Sequence, residues 1–167
     1  MATRRALTAR MITTIAVSGA FATLAFELYG QTLSPLLNGL APTMGPKLPP
    51  GPLANQAIAR MTGMDGGQVS ALGLGYAAHI LAGMFVYPTV WLFGVRPLYR
   101  RFAPQLRAVG AAVLYGVVLW VFALFVVATL MAGNPAFLGF TDLTWVALWG
   151  HILYALVVAA IVWARTR

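Results

Sequence analysis

The stretch LTWVALWGHILYALVVAAIVWA, Leu143–Ala164, decides the fold class. It runs without one charged side chain. At about 1.5 Å per residue, a helix of that length crosses the roughly 30 Å hydrocarbon layer of a bilayer. Three further runs approach or exceed the same length: Met11–Gly30, Ala71–Gly94 and Leu106–Ala132. With 60% hydrophobic and 8% charged residues, a 167-residue chain lacks the polar surface that a soluble domain needs over its core. The expectation is an all-α membrane protein, a single integral domain built as a four-transmembrane-helix up-down bundle.

The formal charge of +8 invites a nucleic-acid partner, and its distribution argues against one. Arg4, Arg5 and Arg10 precede the first run, Arg96, Arg100, Arg101 and Arg107 lie between the second and third, and Arg165 and Arg167 follow the fourth. The other two connections hold only Lys47 and Arg60. This is the asymmetry that the positive-inside rule assigns to cytoplasmic flanks. Both termini and the middle connection are expected on the cytoplasmic side of the membrane, with anionic lipid headgroups as the partner of the excess charge. The first 30 residues resemble a secretory signal, but the run is long enough to span and is read as a retained signal-anchor helix. The chain has no cysteine, which removes disulfides, thiolate metal sites and thiol nucleophiles.

The connections differ in kind. Gln31–Ser70 holds Pro35, Pro42, Pro46, Pro49, Pro50 and Pro52, a density that forbids one continuous helix and makes this a long proline-rich outer loop. Within it Thr32–Leu40 is apolar enough to lie along the membrane surface, and Leu53–Met61 reads as a short amphipathic helix before a break at Thr62–Gly67. A loop of this length in a small protein is expected to be ordered and to serve in docking. Gly133–Asp142 is a tight loop in which Thr141 or Asp142 can cap the fourth helix. Trp145, Trp149, Trp91 and Trp163 fall near span edges as an aromatic belt, while Trp120 falls near mid-membrane as a packing or lipid-facing residue. Pro88 is expected to kink the second span.

The two histidines are the main chemical signal. His79 and His151 each lie about eight residues, or about 12 Å, inside a span that enters from the outer side. A polar ring in hydrocarbon needs a partner, so such residues are functional candidates by default. Small neighbours (Gly75, Ala78, Ala82 and Gly83; Ala147, Gly150 and Ala155) leave room for a haem b ligated axially by both imidazoles. The same small residues equally allow close helix packing around histidines that are structural. Glu27 is the single acid inside a span. It reads as an interfacial carboxylate pairing with Lys47, Arg60 or a backbone amide, or as the partner that fixes one imidazole's tautomer. Its estimated depth is about 5 Å from the outer edge, against about 12 Å for the histidines. Tyr76 and Tyr154, each three residues from a histidine, are candidate hydrogen-bonding groups or ordinary core aromatics.

The runs Tyr76-Ala77-Ala78-His79-Ile80-Leu81-Ala82-Gly83, Leu114-Tyr115-Gly116 and Trp149-Gly150-His151-Ile152-Leu153-Tyr154 resemble a family of small bacterial inner-membrane proteins. That family has four spans, a histidine in the second and a Gly-His pair in the fourth. The resemblance implies the topology and the two histidines and no activity. The proline-rich first connection is longer than the family's, which again points to docking.

No phosphate loop, nucleophile elbow, HExxH or paired carboxylates occur, so catalysis by this chain alone is not expected. The leading expectation is a non-catalytic accessory or assembly subunit of a larger respiratory or photosynthetic membrane complex. A single-haem b-type electron carrier through His79 and His151 is the alternative. A small transporter comes third, since almost nothing polar lines the spans. Reporter fusions test the orientation. A fluorescent protein at either terminus is expected to fluoresce, and alkaline phosphatase to be active only when inserted at Gly133–Asn134. Active phosphatase at both termini would invert the topology.

Overall fold

A computed structural model describes residues 2–40 and 45–166, with side chains from Thr8 onward. Pro42, the side chains of Arg4 and Arg5, and Arg167 therefore lie outside the described residues. Four helices are long and apolar enough to span: α1 over Thr8–Leu36, α4 over Leu74–Phe102, α5 over Ala108–Met131 and α6 over Asp142–Arg165. Two short helices, α2 (Pro50–Thr62) and α3 (Gly66–Ala71), belong to the proline-rich connection. The four spans pack together as an up-down bundle. At its terminal end the Arg10 guanidinium donates to the Arg165 carbonyl (2.6 and 3.1 Å), a cation on the electronegative end of α6.

Span α1 packs along α4 and α6, and α6 packs along α5. The approach is set by glycine. A side chain at Gly19 would collide with the Met84 backbone of α4, and a Cβ at Gly116 would lie 2.6 Å from Cα of Ile152 in α6. The buried face of α1 repeats every fourth residue through Thr14, Ser18, Ala22 and Phe26, which is helical periodicity presented as a narrow ridge of mostly small side chains. Between α4 and α5 the arrangement changes. Trp91–Phe102 meets the start of α5, but nearer the other end α2 lies between the two spans, against Leu74–Leu81 and Phe122–Met131. The gap between two membrane helices is thus filled by a helix of the loop. Its backbone crosses α4 closely at Gly51 and Gly75, and Asn55 Oδ1 accepts from the Gly75 amide at 2.8 Å. Arg60 covers Gly133, and Asn134 donates to Gln56 (3.0 Å), so the last connection is tied to α2 as well.

Proline shapes two spans without ending them. A π turn at Tyr29–Leu33 precedes Pro35, one at Ala82–Val86 precedes Pro88, and one at Trp91–Val95 precedes Pro97. In each, the first carbonyl accepts from the amide five residues on: Tyr29 from Ser34, Ala82 from Tyr87, Trp91 from Arg96. The next donor in the ladder is the proline, which has no N–H. The carbonyls of Gly30 and Gly83 are thereby released, and both are met from outside their helix. The Leu48 amide donates to Gly30 (3.2 Å) and the Tyr154 hydroxyl to Gly83 (2.5 Å). The wider turn also relieves the clash between the proline ring and the preceding turn.

Several expectations are corrected. Span one does not stop at Gly30 but continues to Leu36, so Thr32–Leu36 is helix end rather than a surface-lying segment. Trp91 is core rather than belt: it is 2% exposed and packs on Tyr99 and Tyr115. Trp120 donates to the Thr144 carbonyl (3.0 Å) and stacks with Trp145. Thr141 occupies the cap position of α6, but its hydroxyl turns back to the Leu138 carbonyl (3.3 Å) and does not cap. The capping carboxylate of the chain is Asp65, which accepts from the Gly67 and Gln68 amides at the start of α3. The last connection contains a left-handed turn, with Phe137 (φ 49°), Leu138 (φ 55°) and Phe140 (φ 56°) in a region that favours glycine. Packing holds it: Phe137 stacks with Trp120, Phe125 and Phe140, and its carbonyl accepts from Thr144 (2.5 Å).

The glycine contacts give a direct test. Gly116→Ala should force α5 away from α6 and cost about 1–3 kcal/mol, read as a lower thermal midpoint in nanodiscs. Gly110→Ala, where a Cβ meets only the Leu106 side chain at 3.5 Å, should be neutral or slightly stabilising. Equal destabilisation by both would show that the close crossing is not what holds this pair.

Candidate functional site

The polar groups of the spans gather around one aromatic ring. Phe26 of α1 lies against His79 of α4 (centroids 5.6 Å) and against His151 of α6 (5.1 Å, edge-on). Gly150 makes this possible, because a Cβ there would lie 2.9 Å from the Phe26 ring. The Gly-His pair therefore has a steric cause: the glycine admits the phenylalanine on which the next residue's imidazole packs.

Each imidazole has one committed nitrogen. His79 Nε2 is 2.7 Å from Glu27 Oε1, with the two side chains 20% and 22% exposed. Glu27 therefore pairs with His79, not with Lys47 or Arg60. Its inferred depth is corrected with the span. Since α1 ends at Leu36, Glu27 lies nine residues from that end, about 13 Å, and His151 lies nine residues from the start of α6. His151 Nδ1 is 2.7 Å from the Ala147 carbonyl on its own helix. A carbonyl can only accept, so Nδ1 carries the proton and Nε2 of the neutral ring presents a lone pair. His151 Nε2 has no hydrogen-bond partner among the described residues.

Tyr154 joins the same region through its bond to the Gly83 carbonyl, and Tyr87 packs edge-on against it (6.0 Å). Tyr115 of α5 donates to the Tyr87 carbonyl at 2.8 Å. Tyr76 is elsewhere, with its ring filling the space over Gly51 of α2. Thr23, one turn before Phe26, is a residue that sequence reasoning passed over. It packs on Gly83, and its buried hydroxyl has no partner among the described residues.

Several of these side chains border a half-open cavity of about 290 Å³. His79, His151, Tyr154, Tyr87 and Thr23 supply its polar groups. Leu53, Ala54, Ala57, Ile58 and Met61 of α2 wall it on one side, and Phe122, Leu124 and Val127 of α5 on another. Leu138, from the left-handed turn, closes part of it. The volume is at the lower end of small-molecule pockets, about 300–1,000 Å³. A haem ligated by both imidazoles fits this donor set poorly. Ligation through Nε2 would require His79 to leave Glu27, Phe26 already lies against both rings, and the space is small for a macrocycle. Among the described residues no three histidine, aspartate or glutamate side chains converge as a metal site. Comparison with known protein families, curated proteins and solved structures finds none that matches this chain.

The pair between α1 and α4 is testable. Glu27→Leu leaves the His79 nitrogen without its acceptor and should cost about 1–3 kcal/mol. Glu27→Gln still accepts from Nε2–H and should retain most of that stability. Thermal unfolding in nanodiscs separates the two, and an unchanged midpoint in Glu27→Leu would remove the pair's structural role.

Proposed function

We propose that this chain is a non-catalytic subunit of a bacterial inner membrane that holds a small apolar molecule inside its bundle, with both termini cytoplasmic. The cavity bounded by α2, α4, α5 and α6 carries this reading. It is concave and mainly apolar, with a few convergent polar groups, which is the general form of a small-molecule site. Residues of all four spans line it, and the loop helix, a segment that the topology does not require, completes its wall. The groups around it are imidazoles, phenols and an alcohol, suited to orienting a ligand. The charge asymmetry supports the orientation, and the four long apolar helices support the membrane. Service within a larger respiratory or photosynthetic complex belongs to the same proposal. It is supported by the small size of the chain and by the ordered outer connection.

The second reading is a b-type haem protein. The meeting of His79 and His151 at one cavity favours it, and the commitment of His79 to Glu27 speaks against it.

Gentle isolation in nanodiscs, followed by solvent extraction and mass spectrometry, tests the cavity. A bound lipophilic molecule near one per chain is expected. Ala54→Phe, which places a ring into the cavity from α2, should remove it without unfolding the protein. Equal recovery from that variant would overturn the proposal, and a b-type reduced-minus-oxidised spectrum that tracks the chain would favour the second reading.

A further inference from the structure

Building on the cavity as a ligand site, we infer that its ligand is a hydrogen-bond donor: an apolar body of about one ring and a short chain that carries a free hydroxyl. His151 uses its one proton on the Ala147 carbonyl, and Nε2 retains a lone pair. His79 donates through Nε2 to the Glu27 carboxylate, and when the ring is neutral its Nδ1 retains a lone pair. The single proton of the Tyr154 hydroxyl is used on the Gly83 carbonyl, so its oxygen can only accept. The hydroxyls of Thr23 and Tyr87 can serve either way. The other three of the five groups, with His79 neutral, present acceptors.

An acceptor-only ligand, such as a ketone, an ether or an ester, could be met only by the Thr23 and Tyr87 hydroxyls and would leave the His151 lone pair without a donor. A carboxylate would add an uncompensated charge. An alcohol or phenol supplies the missing proton. The phenol is favoured because its ring matches the aromatic and aliphatic walls made by Phe26, Phe122 and Leu124.

The experiment uses the full chain in nanodiscs and three matched probes: 4-propylphenol, 4-propylanisole and propylbenzene. Binding is read by thermal shift and by ¹⁵N resonances of the histidine rings, with empty discs and Ala54→Phe as controls for partition into lipid. The phenol is expected to bind about tenfold more tightly than the anisole, equivalent to one well-placed hydrogen bond. It alone should move the His151 Nε2 resonance. His151→Phe should abolish the preference while propylbenzene still binds. Equal affinity of phenol and anisole, or tighter binding of the anisole, would overturn this inference and leave the cavity reading standing. Failure of all three probes to bind would overturn the cavity reading itself. The wild-type comparison decides even if the His151 variant does not fold.

Discussion

Everything else in this bundle depends on backbone meeting backbone at glycine. Gly19 lets α1 lie on Met84 of α4, and Gly116 lets α5 lie on Ile152 of α6. In lipid there is no hydrophobic gain from joining two apolar helices, so close packing and internal hydrogen bonds must hold them. With α1 drawn this close to α4, Glu27 reaches His79, and Thr23 reaches Gly83. With α1 also against α6, Phe26 falls onto Gly150 and between the reach of the two imidazoles. The polar cluster is a consequence of the crossing points more than of its own attractions.

The cavity follows from what the same packing leaves undone. Two tight pairs, α1 with α4 and α5 with α6, joined through α1 and α6, leave α4 and α5 apart over half their length. A polar loop could not fill that space, because its backbone would have no partners in hydrocarbon. A helix satisfies its own backbone, and α2 does so with its apolar residues toward the gap. Its small side chains, Ala54 and Ala57, fill the space only partly. The left-handed turn at Phe137–Phe140 completes the wall at some cost in backbone strain, and such strain is stored where the surrounding structure over-determines it.

Sequence patterning made the fold class and the histidines legible, since both are departures from a soluble composition or from an apolar run. The end of span one was not legible, because Pro35 reads as a helix stop and the π turn that absorbs it has no hydropathy signature. The resulting six-residue error, about 9 Å, separated Glu27 from the histidines that it lies beside. Trp91 was misread for a related reason: position near a span edge says nothing about which face packs inward. Phe26 and Thr23 are ordinary residues made important by the neighbour that the fold supplies. One signal was available and unread. Gly30 to Pro35 and Gly83 to Pro88 share the same spacing, a glycine carbonyl deprived of its donor by the proline that follows.

That spacing also sets a timetable for biogenesis. Helices enter the bilayer in chain order, and α4 arrives with the Gly83 carbonyl unpaired. Its donor, Tyr154, lies 71 residues further along the chain. At a synthesis rate of about 5–20 residues per second, the delay is on the order of 4–14 s. An unsatisfied carbonyl in hydrocarbon costs several kcal/mol for as long as it waits. The second span is therefore complete as a membrane helix only once the fourth stands beside it and delivers its hydroxyl.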